Sequence, residues 1–320
     1  VPSTTSRDPA APGRARPVAT VLAPERWSRL EAAHAERADA LTAGHRARRA
    51  AGERHAVEDF LYEYYGTRPA QLRRWHPGVG TGLGTPPGGV GASPGGAEAD
   101  GAPPRRAWRW YATTDDVVHL DVDAFLADRG STVTYVRTLL TATASRSAFT
   151  GCLGLHEWAM VYRGATDRRH DLPLRLGPAG TDAVVERHPV RCSHIDAFRF
   201  FTPDAVPLNR LQPTRETQVA LEQPGCLHAN MDCLKWAIKL GPACPGDLLL
   251  DCFALASEIR VLDMQASPYD LAGLGYEPVA IETPEGRAEY VARQRAFAAR
   301  AAGLRARLVA VCDALVAAAA

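Results

Sequence analysis

Three short spacings in this chain pair a histidine with a carboxylate, and each has a chemistry open to it. The first is Gly154-Leu155-His156-Glu157-Trp158-Ala159-Met160. His-Glu opens the H-E-x-x-H zinc-protease helix, but Met160 stands where the second histidine belongs, so the protease signal is negative. Glu157 keeps its interest as a catalytic group, because an apolar neighbour such as Trp158 raises a carboxyl pKa toward general acid or base work. The plainer alternative pairs Glu157 with Arg163 or another arginine.

The second spacing is Cys192, His194, Asp196 and Phe198, alternating along a stretch read as a strand over 190–201. Alternate residues of a strand share one face. His194 and Asp196 would then converge on one point, either to bind a metal or with Asp196 orienting water and His194 tuning it. A hydrogen-bonded pair buried for structure is the alternative. The third is His228 and Asp232, four apart on a helix expected over Leu227–Leu240 and so on one face of it. A solvated ion pair there is equally open. Together His156, His194, Asp196, His228 and Asp232 form a candidate set for a divalent metal, though no spacing among them is diagnostic.

Other clusters are weaker. His55, Glu58 and Asp59 sit within one helical turn, where Arg48, Arg49 and Arg54 suffice to neutralise the acids. Tyr62, Tyr64, Tyr65 and Trp75 lie near Arg68, Arg73 and Arg74. That interleaving suits base stacking and phosphate contact, and equally an ordinary helix edge. Gly91-Ala92-Ser93-Pro94-Gly95 matches the G-x-S-x-G nucleophile elbow without the strand and helix that motif needs. Pro77-Gly78-Val79-Gly80 mimics a helix-hairpin-helix turn, but more glycine and proline follow it.

The elements that must position these residues are mostly helical. Helices are expected over 24–50, His55–Tyr65, 151–163, Thr214–Glu222, Leu227–Leu240 and Asp247–Gln265. Asp123 and Ser131 cap two more, ending at Gly130 and about Ser145, and Thr181 caps another. The last helix starts with Thr283 as cap and Pro284 at its first position, and runs nearly to the end. Its apolar seam is Tyr290, Phe297, Ala301, Leu304, Leu308, Val311 and Leu315. Strands are expected at 108–112, 117–122, 174–176 and 190–201. The fold class is therefore α+β, predominantly helical with a small sheet and a long C-terminal helix. The divisions are a disordered tail over 1–23, a helical segment over 24–76, a disordered insert over 77–104 and the remainder over 105–320. In the insert, 16 of 28 residues are Gly or Pro, too few apolar groups to offset the entropy of ordering.

With 46% hydrophobic and 23% charged residues the chain reads as globular. No run approaches the ~20 apolar residues of a membrane span, and the first twenty residues lack the apolar core of a secretory signal. Seven cysteines without a C-x-x-C pair suit reduced thiols, and a cytoplasmic location is expected. The sequence carries no signal for an oligomeric state. Net charge is +1, and of 37 basic residues only Lys235 and Lys239 are lysines. Arginine suits phosphate contact, and a GC-rich coding bias gives the same composition.

The stretches Val57–Phe60, Arg68–Leu72, Gly154–Arg163, Ser193–Thr202, Gln212–Asp232 and Ile281–Tyr290 resemble an actinobacterial protein family usually labelled 3-methyladenine DNA glycosylase. The resemblance covers most of the chain from about residue 24, except the insert. It implies a DNA-repair hydrolase releasing alkylated purines, with alkylated DNA as partner and no cofactor. In such an enzyme the extruded base would stack on Trp158, Trp236 or Tyr269. Asp196 or Glu157, with His194, would orient water and stabilise the sugar cation, and arginines such as Arg199 would hold phosphates. Lys235 and Lys239, expected charged, make a Schiff base unfavourable, so base release without strand cleavage is expected. The rivals are a histidine–carboxylate metal enzyme acting on a small molecule, and a binding or assembly protein using the C-terminal helix.

Overall fold

Helix α9 (Leu227–Leu240) is buried along its whole length except at Lys235, Ile238 and Lys239, and this organises the molecule. It is joined by a short turn to α10 (Gly246–Gln265), which is nearly as buried. A link this short makes the two an antiparallel hairpin. Around it pack α4 (Val122–Ala144), α11 (Pro284–Ala319) and α1 (Pro24–Ala50). A computed structural model describes residues 18–85, 104–164 and 171–319. The described residues are mostly helical, 59%, with a small four-stranded mixed sheet and a long C-terminal helix.

The 36 residues of α11 extend about 54 Å at 1.5 Å per residue. Its buried stripe keeps the expected seam except Leu304, which is only half-buried, and adds Gly286, Gln294, Arg305 and Cys312. Thr283 caps the helix, its Oγ1 accepting from Gly286 N at 3.0 Å. Each fully buried leucine on such a stripe contributes roughly 1.5–3 kcal/mol.

The sheet runs in the order β1 (Thr20–Leu22), β2 (Thr81–Gly84), β4 (Val117–Leu120), β3 (Tyr111–Thr114). β1 is parallel to β2, and the other pairs are antiparallel. Asp115 and Asp116, both at positive φ, make the two-residue turn between β3 and β4. Leu22, Leu83 and Val118 bury one face against Trp27 and Trp75. Gly82 is required by close approach, since a Cβ there would lie 2.4 Å from Val117 Cγ1. Gly78 has φ +89 and a Cβ would meet the Pro245 ring at 2.7 Å.

Several expected elements differ. Residues 20–22 and 81–84, assigned from composition to the tail and the insert, are strands. Glycine carries β2 because Val117 leaves no room for a side chain. The rest of those two stretches, including Gly91–Gly95, lies largely outside the described residues. The two helices expected around Gly130 are one, α4, capped by Asp121 and not Asp123: Asp121 Oδ1 accepts from Ala124 N at 2.9 Å. One glycine costs a helix only about 1 kcal/mol, too little to break it. The helix expected over His55–Tyr65 is a turn followed by α2 (Phe60–Glu63); a further short helix, α3 (Pro69–Leu72), follows. The helix at 151–163 shrinks to α5 (Leu155–Ala159), because Leu153, Gly154 and Arg163 take left-handed φ. Helix α6 (Gly177–Arg187) starts four residues before Thr181. The strand at 190–201 is extended backbone only to His194, then α7 (Ile195–Phe198). The helix over Thr214–Glu222 keeps only α8 (Gln218–Leu221). Leu174 makes a single bridge to Tyr269.

Candidate functional site

α9 carries His228, Asp232 and Lys235 on one face; the first two are buried, and Lys235 reaches toward a cavity at the surface. His228 and Asp232 are 6% and 1% exposed, so they are no solvated pair. His194, at the cap of α7, is fully buried with Nε2 3.2 Å from Glu222 Oε1 and 3.4 Å from Asp232 Oδ2. Neither nitrogen of that ring has an aligned hydrogen-bond partner. Burial opposes a charge on His194, but Glu222 and Asp232 outweigh it and push its pKa up to about 10. Asp232 also accepts from Tyr65 Oη at 2.8 Å and Lys235 Nζ at 3.1 Å. Burial would raise the Asp232 carboxyl, yet His194 and Lys235 hold it well below the usual range.

Lys235 continues the chain outward to Asp196 Oδ2 at 2.8 Å. Arg215 grips Asp196 through both nitrogens, one at 3.2 Å, and Arg199 Nε lies 3.5 Å away. Burial again works against the carboxylate, and Arg215 and Lys235 override it to lower the pKa. A water-activating base needs a free, weakly held carboxylate; Asp196 is saturated by cations.

The inward branch runs through His228, whose ring centroid is 5.5 Å from His194 and 4.6 Å from His156. His156 Nε2 meets Asp263 Oδ1 at 2.9 Å. Arg260 Nη1 bonds Asp263 Oδ2 at 3.0 Å and Glu157 Oε1 at 3.2 Å. Glu157 thus pairs with an arginine, as the plainer reading expected, but with Arg260 in place of Arg163. Burial lowers the His156 pKa and Asp263 more than restores it, so the net shift is upward. His228, buried and beside His156, falls to about 3.

Two metal-ligand sets are contained in this network: His194, Glu222 and Asp232, and His156, His228 and Asp263. In each, the ligand atoms lie within 4.8 Å of one another. Five carboxylates (Glu157, Asp196, Glu222, Asp232, Asp263) face six cations when His156 and His194 are protonated beside Lys235, Arg199, Arg215 and Arg260. Neutral imidazoles, which metal coordination requires, would leave the network one charge negative, a field that favours a cation.

The expected metal set is therefore divided and altered. His194 with Asp232, and His156 with His228, are brought together. Asp196 joins neither set, because the backbone turns into α7 after His194 and the two side chains do not share a strand face. Glu222, Asp263, Arg260 and Arg215 had no role in the sequence reading. The expected base-stacking residues lie beneath the surface. Trp158 is fully buried and donates to Ala266 O at 2.8 Å. Trp236, 6% exposed, packs on Tyr135. Tyr269 sits in an apolar cluster with Val57, Val161 and Met264. None offers a ring face to a base from solvent. Arg199 is half-exposed and lines a cavity of about 500 Å³ with Tyr64, Tyr65, Asp196, Arg215, Lys235 and Lys239. Near the N-terminus, Arg48 pairs with Glu58 at 2.7 Å and Asp59 takes His45 Nδ1 at 2.8 Å, an arrangement closed on itself.

No family model, no curated protein and no solved structure matches the chain. Among the described residues no helix is long and apolar enough to cross a membrane, and all seven cysteines are free thiols.

Proposed function

We propose that this protein is a histidine–carboxylate metal-dependent enzyme acting on a small molecule. The observation that carries the reading is His194. Its buried Nε2 is flanked at 3.2 and 3.4 Å by two carboxylates, without an aligned hydrogen bond to either. A buried polar atom left without aligned partners is rare, because desolvation makes it costly. One imidazole and two carboxylates suit divalent zinc, manganese or iron. A cation held there supplies Lewis acidity to a bound oxygen. The chain's own residues hold the ligands in place: Tyr65 and Lys235 orient Asp232, and Gln218 Nε2 donates to Glu222 at 2.6 Å. Elemental analysis of purified protein should find near-stoichiometric metal, lost in His194→Ala and Glu222→Gln. Protein that neither carries nor takes up Zn, Mn or Fe would overturn the reading and leave a closed ion-pair network.

Removal of alkylated purines from DNA is the second reading. What supports it is the cavity mouth, where Tyr64 and Arg199 offer a ring and a phosphate contact together. The burial of Trp158, Trp236 and Tyr269 and the saturation of Asp196 lend it less support than the metal reading draws from His194. Methylated duplex DNA incubated with the protein tests it directly. Free methylpurine, abolished by Asp196→Asn, is the expected product, and no release beside a working control glycosylase removes the reading.

A further inference from the structure

The cavity outside Asp196 is unlike the rest of the surface in one compositional respect. The chain has 37 basic residues and only two are lysines, and both of these line this cavity. They sit four apart on α9, one turn of the same face. A coding bias toward arginine would remove lysine everywhere alike, so its survival at this pair alone is a local requirement. An ammonium is a compact point charge, while a guanidinium is a planar fork, and a site that uses both surrounds an anion from several directions.

Charge and shape say which anion. Among the residues that line the cavity, Arg199, Arg215, Lys235 and Lys239 outnumber Glu63 and Asp196 by two, and Lys235 also holds Asp232 behind the wall. Arg215 and Lys235 share Asp196, which fixes their positions. Lys239 has no carboxylate partner among the described residues. Arg199 is about half exposed and reaches toward the opening. Tyr64 forms one wall, with the Arg199 guanidinium 5.8 Å from its ring centre. A phosphate monoester carries close to two negative charges at neutral pH and has three acceptor oxygens to divide among several donors. The cavity, about 500 Å³, has room for a small organic phosphate.

We propose that this cavity binds the phosphate group of a small phosphorylated substrate, through Arg199, Arg215, Lys235 and Lys239. The assignment rests on the metal-enzyme reading and names its substrate class. Lys235 joins the two places, since its ammonium touches Asp196 at the cavity floor and the candidate ligand Asp232 behind it.

Isothermal titration of the full chain with inorganic phosphate, phenyl phosphate, benzoate and a short duplex oligonucleotide tests this, with metal content measured on the same samples. The two phosphates should bind, phenyl phosphate more tightly. The double variant Arg199→Gln/Lys239→Gln should weaken both by about tenfold or more, since each loses two charged contacts. Lys239 makes no contact with the buried network, and Arg199 is only its half-exposed outermost member, 3.5 Å from an Asp196 that Arg215 and Lys235 still hold, so metal content should not change. Phosphate binding that is absent, or equal in the double variant, overturns the proposal. So does benzoate bound as tightly as phenyl phosphate, or binding of the oligonucleotide alone. Metal-loaded protein that ignores phosphate sinks this inference and leaves the metal reading standing. Metal-free protein that binds phosphate does the reverse.

Discussion

Two parts of this molecule bury histidines, and, His228 between its two charged neighbours aside, they treat them oppositely. Around α9, His156 and His194 face Asp263, Glu222 and Asp232, and carboxylates raise both against the pull of burial. Beside the sheet, burial lowers His34 and His76, and arginines near each push the same way. His76 reaches about 3, with Arg105 next to it; its Nδ1 lies 2.9 Å from Tyr111 Oη. Burial is common to both places. The sign of the neighbours decides whether the imidazole is an ion to be held or a neutral ring to be packed, and only the first arrangement is suited to exchange a proton for a metal.

The largest way to break the contrast is to remove a network carboxylate. Asp232→Ala leaves His194 with Glu222 alone and Lys235 with Asp196 alone, and a loss of roughly 3–5 kcal/mol is expected in urea unfolding. Asp232→Asn keeps the shape and should cost less; equal losses would mean that packing and not charge holds the region. Next is the sheet, where size matters more than charge. Gly82→Ala drives a methyl into Val117 and should cost about 1–3 kcal/mol, read as a lowered urea midpoint.

The pH responses should have opposite signs. His76 has a folded pKa below its unfolded value, so its contribution is complete above about pH 6.5 and is lost as pH falls toward 3. Between pH 7 and 4.5 His76→Asn should lose about 1–2 kcal/mol less stability than the parent. His194 has a raised folded pKa. Its contribution in the metal-free protein is complete below about pH 6.5 and is lost as pH rises through about 10. His194→Gln should therefore flatten the alkaline limb. An unchanged alkaline limb would show that His194 is not the charged partner. Smallest of all is Arg300→Ala, which removes an exposed pair with Glu258. Less than about 1 kcal/mol is expected, and a larger loss would place that pair in the same class as the network.

The long helices were legible because their apolar spacing is local: α9, α10 and the α11 stripe follow from residues three and four apart. Which of their polar residues meet was only partly legible. His228 and Asp232 share a face by spacing alone, but the sequence cannot say that they point inward, because the elements that cover this part of α9 are far away in the chain. Glu222 and Asp263 were missed for the same reason. Asp263 lies 107 residues from His156, with no spacing to link them. Alternation over 190–201 misled because an extended run followed by one helical turn imitates a strand. Glycine in 77–104 misled because the feature that excludes most folds, a missing side chain, is what β2 needs beside Val117.

The parallel pairing of β1 with β2 carries a kinetic consequence. Thr20 meets Thr81 only after α1 and the short helices between have doubled back, so this contact closes a long loop. The α9–α10 hairpin needs only its short turn. Loop-closure entropy must be met before distant pairings return any stabilisation. Folding should therefore begin at the helical hairpin and finish at the sheet. Leu234→Ala should slow refolding, whereas Leu83→Ala should mainly speed unfolding, so that the edge of the molecule that opens first is the one farthest from its chemistry in folding time.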